Sequence, residues 1–359
     1  MIGPYLQRGD FAPWFRAPAL SGRSDYRFET AAGRYILMLF FGSAGLEAGQ
    51  SALHCVYEQR ALFDDVRVCF FGVTNDRSDV TNQRIAQSIP GIRFFLDFEG
   101  QIVKWFSRGD AVAPPHWLLL NRRLQVLDSF PLENGRAAIA SLDDLLSDEF
   151  DMPAPILTVE NIFEAGLCRQ LIEGFDASGG ESSGFMREVQ GITTGINDPF
   201  FKQRKDWVIE DERLRATLRG RISRRLIPAI ARAFQFKVSR IERYMVGRYE
   251  AGAGHFRPHR DNTTKGTAHR KFAVTINLNA EDYEGGDLRF PEFSDRTYRP
   301  PTGGAVVFSC SLLHEATPVT QGRRYAFLPF LYDEEGARIR EANNAFLGEH
   351  VGRYSADGQ

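Results

Sequence analysis

The chain has few cysteines, almost no net charge and no long apolar run. Its four cysteines among 359 residues lie far apart and form no C-x-x-C pair; they are Cys55, Cys69, Cys168 and Cys310. That spacing argues against a zinc site or a dithiol redox motif. The 44 basic residues are balanced by 46 acidic ones, for a net charge of −2. We therefore expect no general attraction to nucleic acid or to an anionic membrane surface.

Targeting and membrane-spanning segments are also missing from the sequence pattern. Residues 1–15 carry charge and proline instead of an apolar segment, and no run approaches the roughly 20 apolar residues that span a bilayer. The sequence therefore predicts a soluble, cytoplasmic protein without structural disulfides. Only residues 213–234 are locally rich in arginine. Their leucines and isoleucines recur at helical spacing, which predicts a helix with one face on a core and a basic outer face.

The length and hydrophobic content favour two domains. At 359 residues the chain is longer than one typical core supports, and a hydrophobic fraction of 43%, including 29 phenylalanines, leaves ample material for two cores. The acidic and proline-rich run LSDEFDMPAP (146–155) marks a boundary. We predict a first domain at residues 1–148, a linker at 149–155 and a second domain at 156–340. A short helix from about residue 336 would lead into a frayed tail at 341–359.

Strand-like and helix-like runs alternate in the first domain, as in an α/β layer. The strand-like runs include YILMLFF (35–41), VRVCFFGVTN (66–75) and IRFFLDF (92–98), and helix-like stretches lie at 44–63, 81–89 and 136–148. With GDFAPWFRAPAL (9–20) at its start, this order resembles the peroxiredoxins, a branch of the thioredoxin fold. The resemblance implies a thioredoxin-like α/β domain.

The same resemblance places a reactive cysteine near position 49, where this chain has glycine. Cys55 is the nearest thiol, about six residues late and inside the predicted helix. A peroxidatic cysteine must be a thiolate held at a helix start. We therefore predict that the first domain has no peroxidase activity and that Cys55 is a packed helix residue. A thiol peroxidase centred on Cys55 is the alternative.

The second domain contains the triplet His259-Arg260-Asp261, followed by His314. Residues two apart on an extended strand face the same side, so His259 and Asp261 can share a metal, and Arg260 would point away. Two imidazoles and one carboxylate suit iron(II), because that ligand set leaves positions open for a chelating co-substrate and for dioxygen. An isolated H-x-D triplet is a weak signal, and a surface turn would be the ordinary interpretation.

The stretch around the triplet strengthens the iron interpretation. Short apolar runs separated by Gly, Pro and Asn predict many strands in a sandwich or barrel. The run RYEAGAGHFRPHRDN (248–262), the Gly285-Gly286-Asp287-Leu288 turn and the H-x-x-x-P-V motif at His314 resemble the 2-oxoglutarate- and iron(II)-dependent oxygenases, in particular the prolyl 4-hydroxylase-like branch. The resemblance covers about residues 155–340. It implies a mainly-β double-stranded β-helix, or jelly roll, with flanking helices.

By this resemblance, His259, Asp261 and His314 are the metal ligands and Arg324 binds the distal carboxylate of 2-oxoglutarate. Neighbouring residues on a strand face opposite sides, so only one of Arg323 and Arg324 can point inward, and the ten-residue spacing from His314 favours Arg324. Tyr249 either contributes a hydroxyl to the co-substrate or is an aromatic core residue. Weaker candidates on neighbouring strands are Tyr244, Thr275 and Asn277. Three residues at the expected mouth of the site are interpreted as solvated polar residues: Arg257, His269 and Arg270.

The resemblance implies a dioxygenase that hydroxylates a C–H bond while it decarboxylates 2-oxoglutarate to succinate. It implies Fe(II) as cofactor, 2-oxoglutarate and dioxygen as co-substrates, and ascorbate as an accessory cofactor. The substrate would be a prolyl or other peptidyl residue, or a small molecule, and residues 178–206 are interpreted as a loop that closes over it. A non-catalytic sensor of oxygen or 2-oxoglutarate is a further alternative. Oligomeric state is left open.

Overall fold

The computed structural model describes residues 4–22, 24–109, 112–147, 151–349 and 351–356. It divides into two compact units, Met1–Met152 with Pro291–Ser294, and Pro153–Phe290 with Asp295–Gln359. The predicted linker at 149–155 and the predicted tail at 341–359 lie partly outside the described residues. The domain limits inferred from composition stay predictions.

The first unit is built on a five-stranded mixed sheet. The strands of this sheet are β3 (Tyr35–Gly42), β4 (Val68–Thr74), β5 (Ile92–Leu96), β6 (His116–Leu120) and β7 (Val126–Pro131). A separate, short antiparallel pair precedes them in the chain and consists of β1 (Arg16–Ala17) and β2 (Tyr26–Arg27). The sheet order is β5-β4-β3-β6-β7. Strands β3, β4 and β5 are parallel, whereas β6 and β7 are antiparallel to their neighbours. The central strands are buried along nearly their whole length, which explains their continuous apolar sequence.

Helices flank this sheet, as an α/β layer requires. They are α1 (Glu47–Glu58), α2 (Ser78–Thr81), α3 (Gln101–Phe106) and α4 (Gly135–Ser147). Leu53 and Val56 of α1 pack with the sheet in one core cluster. The helix-like run at 81–89 forms no helix beyond Thr81. Only Ile85 and Ile89 are apolar there, and Ile89 is exposed, so the run has no face that a helix could bury.

The second unit is mainly β. Its strands are β8 (Leu157–Val159), β9 (Glu181–Ser182), β10 (Phe185–Val189), β11 (Ile192–Ile196), β12 (Lys202–Gln203), β13 (Lys205–Val208), β14 (Arg240–Glu242), β15 (Met245–Glu250), β16 (His255–His259), β17 (Phe272–Asn277), β18 (Tyr283–Gly285), β19 (Leu288–Arg289), β20 (Thr297–Tyr298), β21 (Ala305–Ser309), β22 (His314–Ala316), β23 (Val319–Phe327) and β24 (Phe330–Tyr332). A five-stranded sheet has the order β12-β16-β22-β19-β20. A larger sheet contains the path β14-β24-β17-β23-β15-β13-β9, with β8, β18 and β21 joined to it.

The helices of the second unit are α5 (Ala165–Ser178), α6 (Glu212–Arg221), α7 (Ile227–Phe234) and α8 (Glu334–Ala342). Residues of α5, α6 and α7 share one core cluster with strands of the larger sheet, whereas Ala337 of α8 packs with Tyr332 of β24. A π-helical turn, Ile222–Leu226, joins α6 to α7. Leu218, Ile222 and Ile230 are fully buried, whereas most arginines of this segment are exposed, so the predicted helix with a basic outer face is confirmed. In the described part of the chain, no helix combines the length and the apolar character needed to cross a membrane.

Two predictions about irregular segments are wrong. Residues 178–206 are not one loop, because β10 and β11 form an antiparallel hairpin with five paired positions. The described part of the tail is also not frayed. Tyr354 is buried, and its backbone exchanges two hydrogen bonds with the side chain of Asn344, at 2.6 and 2.9 Å. These contacts hold the chain end against its own unit.

Candidate metal centre

Two histidines meet because the register of β16 and β22 places them directly opposite each other. His259 is the last residue of β16, and its partner across the antiparallel ladder is His314, the first residue of β22. Directly opposed residues project from the same face about 5 Å apart. The register shifts by one residue between Phe256 and His259. Such irregularities turn individual side chains and are frequent beside active sites.

Asp261 completes the cluster from the turn that follows β16. Its backbone N–H donates to the carbonyl of Cys310 at 3.0 Å, which holds the turn beside the end of β21, at the start of the connection to β22. One carboxylate oxygen lies 3.6 Å from Nε2 of His259, and the other lies 3.3 Å from Nε2 of His314. The two imidazole centroids are 4.3 Å apart. One ligand atom from each of the three residues lies within 4.8 Å of the others.

Backbone carbonyls select the imidazole nitrogens that face the centre. Nδ1 of His259 lies 2.7 Å from the carbonyl of Arg257, and Nδ1 of His314 lies 3.0 Å from that of Leu312. Each Nδ1 therefore donates to a backbone carbonyl, and each Nε2 is the ring nitrogen that faces Asp261. A metal at this centre would bind the two Nε2 atoms.

The electrostatics favour the ligand forms of these side chains. Burial lowers the pKa of His259 to about 4, with the nearby His314 imidazole acting in the same direction. Burial opposes ionisation of Asp261, but His314 and His259 outweigh it and hold the pKa of this carboxyl well below its ordinary value. At neutral pH the site thus contains a neutral imidazole at His259 and a carboxylate at Asp261, and neither must lose a proton before a cation binds.

These side chains fit iron(II). Nitrogen and carboxylate oxygen suit it, and three ligands on one side leave further coordination positions open. Within the described residues, this is the only group of three or more His, Cys, Asp or Glu side chains close enough to share an ion. The triad predicted from the sequence is therefore assembled in the structure.

Arg323 and Arg324 point to opposite sides of β23, as alternation on a strand requires. Arg324 is 2% exposed, whereas the side chain of Arg323 is 60% exposed and pairs with Glu250 at 3.1 Å. Within the described residues, no carboxylate pairs with the Arg324 guanidinium, and its buried Nε has no hydrogen-bond partner. A buried guanidinium without an anion is costly unless a ligand supplies one.

Tyr249 lies between Arg324 and the metal ligands. The guanidinium carbon of Arg324 is 5.1 Å from the Tyr249 ring centroid. Tyr249 also packs with Phe256, whose ring stacks on His259 with centroids 3.4 Å apart. The predicted co-substrate residues and the triad therefore face the same interior.

The predicted Gly-Gly turn makes room for this arginine. Gly285 and Gly286 both have φ of +68°, a conformation that glycine adopts without strain. A Cβ on Gly286 would lie 2.8 Å from Val319 and 3.2 Å from Cδ of Arg324. A larger residue at position 286 would therefore press directly on the Arg324 side chain.

The weaker candidates occupy two different environments. Thr275 and Asn277 are buried on β17, and the side-chain oxygen of Asn277 has no partner among the described residues. Tyr244 instead packs with the core cluster that contains the helices, and its hydroxyl accepts from Nε of Arg219 on α6 at 3.3 Å.

The interpretation of His269 and Arg270 as solvated residues is wrong. They are 1% and 5% exposed, because the buried carboxylate of Glu242 lies opposite them. Glu242 is 2.7 Å from Nε2 of His269 and accepts two hydrogen bonds from Arg270, at 3.1 and 2.7 Å. Arg270 also donates to the backbone carbonyl of Asp261 at 3.4 Å. Arg257 is exposed, as expected, and lies 3.8 Å over the Phe200 ring.

Sequence reasoning missed a set of buried polar residues at the start of the β12–β13 segment. Lys202 and Arg204 are 5% and 8% exposed. They lie in the run KQRKD (202–206), where nearly every residue is charged and nothing distinguishes the buried side chains from the exposed ones. Glu242 was missed for the same reason. The position of Lys202 near the metal ligands follows only from the strand register, which pairs Lys202 with Phe256 beside His259 and is visible only in the structure.

Cys55 lies within α1, far from the start of that helix. It is half-buried and packs with the core of the first unit. Position 49 has no room for a side chain, because a Cβ on Gly49 would lie 2.2 Å from the carbonyl oxygen of Ser43. The structure therefore provides neither a thiol nor space for one at the position where the peroxiredoxin resemblance expects it.

Comparison with known proteins finds similarity in part of the second unit. Residues 244–332 match the model of the 2OG-Fe(II) oxygenase superfamily. A PKHD-type hydroxylase of Synechococcus sp. (strain JA-2-3B'a(2-13)) is 33% identical over 92 residues, which are 24% of this chain and 41% of that protein. The chain thus spans less than half the length of this relative.

Two solved structures are similar to larger parts of the chain. One is a prolyl hydroxylase in complex with a hypoxia inducible factor oxygen degradation domain peptide fragment from Trichoplax adhaerens. It has 18% identity and a TM-score of 0.41, over 56% of this chain and 91% of that one. The other is a putative protein disulfide isomerase from Bacteroides thetaiotaomicron. It has 16% identity and a TM-score of 0.33, over 41% of this chain and 92% of that one. The stretch at residues 244–332 that matches the model of the 2OG-Fe(II) oxygenase superfamily contains the complete triad.

Proposed function

We propose that this protein is a 2-oxoglutarate- and Fe(II)-dependent dioxygenase that hydroxylates a C–H bond and converts 2-oxoglutarate to succinate. His259, Asp261 and His314 would hold the iron. The observation that carries the proposal is the buried Arg324 guanidinium, which has no carboxylate partner among the described residues and shares an interior with the triad. A metal-binding triad alone fits many functions, but a triad beside an unmatched buried cation fits an anionic chelator.

The side chains divide the binding of that chelator between them. Arg324 would form two parallel hydrogen bonds to the distal carboxylate, which offsets the cost of burying both charges. The Tyr249 ring lies against the Arg324 guanidinium, which is itself buried. The carbonyls of Arg257 and Leu312 hold the two imidazoles with Nε2 toward the metal. Iron, once bound, supplies the activation of dioxygen, and the protein supplies orientation and water exclusion.

We infer that the substrate is a peptidyl residue, with a prolyl residue as the first choice. The names of two similar proteins support this inference, since one is a PKHD-type hydroxylase and the other is a prolyl hydroxylase bound to a peptide fragment. Three aromatic rings line the approach beside His259: Phe185, Phe201 and Phe256. Phe200 next to them is 71% exposed. An extended chain with an apolar ring would bury this aromatic surface.

The proposal is tested by succinate release from purified full-length protein with Fe(II), 2-oxoglutarate and ascorbate. Release should be slow without substrate and faster with the true substrate. Peptides and metabolites from a lysate are then searched by mass spectrometry for the gain of one oxygen, with His259→Ala as the matched inactive control. If the wild type releases no more succinate than His259→Ala under any condition, the dioxygenase proposal fails.

A further inference from the structure

A buried hydrogen-bonded chain links the start of the β10–β11 hairpin to Tyr249. We call it the Arg204 network, and its members are Lys202, Ser183, Asp206, Arg204 and Tyr249. Nζ of Lys202 donates to the Ser183 hydroxyl at 2.5 Å, and that hydroxyl contacts the Asp206 carboxylate. Arg204 binds the same carboxylate with two N–H groups, at 2.5 and 2.8 Å. Its remaining terminal nitrogen, Nη1, donates to the Tyr249 hydroxyl at 3.2 Å.

The direction of the last hydrogen bond decides what Tyr249 can do. A phenol accepts and donates, and a guanidinium only donates. Because Arg204 donates to the Tyr249 oxygen, the hydroxyl proton is left for another acceptor. Within the described residues, the Tyr249 hydroxyl donates no hydrogen bond. The ring of Tyr249 at the same time lies against Arg324, where the proposed anionic co-substrate would be held.

We propose that Arg204 is a positioning residue that makes the Tyr249 hydroxyl a fixed hydrogen-bond donor to a carboxylate of the bound co-substrate. This inference rests on the proposed function. Asp206 holds the Arg204 fork in place. Burial by itself lowers the pKa of Arg204, but the Asp206 carboxylate outweighs burial, so the pKa is raised further above its ordinary range and Arg204 stays charged. The rigid planar fork is what permits one side chain to bind Asp206 with one edge and Tyr249 with the other.

The other end of the Arg204 network reaches the start of the β10–β11 hairpin. Ser183 lies two residues before β10, and Nζ of Lys202 also donates to the carbonyl of Gly184 at 2.6 Å. Lys202 is 4.9 Å from the Phe256 ring centroid, and Phe256 stacks on His259. A ligand that tightens the Tyr249 end should therefore also tighten the start of the hairpin.

The direct test is a double-mutant cycle on 2-oxoglutarate binding. The full chain is loaded with Mn(II), so that no turnover occurs, and binding is measured by calorimetry for the wild type, Arg204→Lys, Tyr249→Phe and the double variant. Lysine keeps the charge beside Asp206 but lacks the fork. We expect each single variant to weaken binding about 10-fold, the scale of one hydrogen bond to a charged group. The double variant should be no weaker than about 10-fold, because both changes remove the same interaction.

A multiplicative double effect of about 100-fold would overturn the inference, as would wild-type affinity in Arg204→Lys. Arg248→Lys is the matched control, since Arg248 neighbours Tyr249 on β15 but packs over Phe175 of α5, 5.0 Å from its ring centroid. It should stay within about twofold of the wild type. If the wild type itself does not bind 2-oxoglutarate, the proposed function fails; if it binds and the cycle is multiplicative, only the role of Arg204 fails.

A milder variant keeps the inference testable if Arg204→Lys does not fold. Ser183→Ala removes one hydroxyl at the partly exposed end of the network. In the wild type, 2-oxoglutarate should slow amide hydrogen exchange in the hairpin Phe185–Ile196, and in Ser183→Ala that slowing should be lost. Equal slowing in both proteins would contradict the proposed link.

Discussion

Replacing Arg324 by methionine should remove most of the affinity for 2-oxoglutarate without destabilising the ligand-free protein. Methionine keeps the unbranched stem that packs in the interior and deletes the charge. Arg324 is 2% exposed and has no carboxylate partner among the described residues. Truncating one partner of a buried charge pair costs about 2 to 5 kcal/mol, so binding should weaken by about 30-fold to about 4,000-fold.

The neighbouring arginine provides the matched control. Arg323 carries the same charge on the same strand, but its side chain is 60% exposed and pairs with Glu250 at the surface. Exposed pairs contribute at most about 1 kcal/mol, so Arg323→Met should change the affinity by less than about fivefold. Calorimetry on the Mn(II)-loaded proteins measures both values.

Thermal unfolding gives a second, independent readout of the same change. At a 2-oxoglutarate concentration about 100 times its Kd, the wild type should gain about 2.7 kcal/mol of stability, and Arg324→Met should gain almost none at that concentration. Without ligand, Arg324→Met should unfold at or above the wild-type temperature, because it no longer buries an unmatched charge. Wild-type affinity in Arg324→Met, together with a large loss in Arg323→Met, would refute the assignment of the inward arginine.

Five further substitutions have defined outcomes. His259→Ala and Asp261→Ala should each abolish metal binding in calorimetry and succinate release together; retained stoichiometric binding in either would remove that residue from the ligand set. Glu242→Ala should destabilise the fold by about 3 to 5 kcal/mol in urea unfolding, because it leaves the buried Arg270 without an anion; a change under about 1 kcal/mol would show that the pair contributes little. Burial lowers the pKa of His116 to about 4 from 6.5, so stability present above pH 6.5 should fall by about 3 kcal/mol as pH drops to 4, and His116→Phe should flatten that dependence in urea unfolding. Cys55→Ser should leave peroxide reduction at its background level and succinate release unchanged, whereas loss of a measurable peroxidase activity would favour the thiol-peroxidase alternative.

The metal triad could be predicted because its signal is local. His259 and Asp261 are two residues apart, and alternation along an extended segment predicts them on one side. In the structure Asp261 lies in the turn just after β16 and still faces His259. The family resemblance added His314, and the structure shows the physical reason, since β16 and β22 pair with these histidines opposite each other. The inward position of Arg324 also followed from alternation, with its spacing from His314 deciding between the two arginines.

The buried polar networks could not be predicted, because their partners lie far apart in the sequence. Glu242 is 28 residues from Arg270, and Ser183 is 23 residues from Asp206. A charged residue reads as solvated unless its counter-charge is known, which explains the wrong interpretation of His269 and Arg270. The hairpin at Phe185–Ile196 was missed because glycine and polar residues interrupt its alternation.

The most direct test of the central claim is the metal stoichiometry of the purified full-length protein. Calorimetric titration with Fe(II) under anaerobic conditions should give one metal per chain, and 2-oxoglutarate should bind tightly only after the metal is present. Asp261→Ala, measured in parallel, should bind neither. A wild-type chain that takes up no iron, or an Asp261→Ala chain that takes up one equivalent with undiminished affinity, would contradict the assignment of His259, Asp261 and His314 as an iron site.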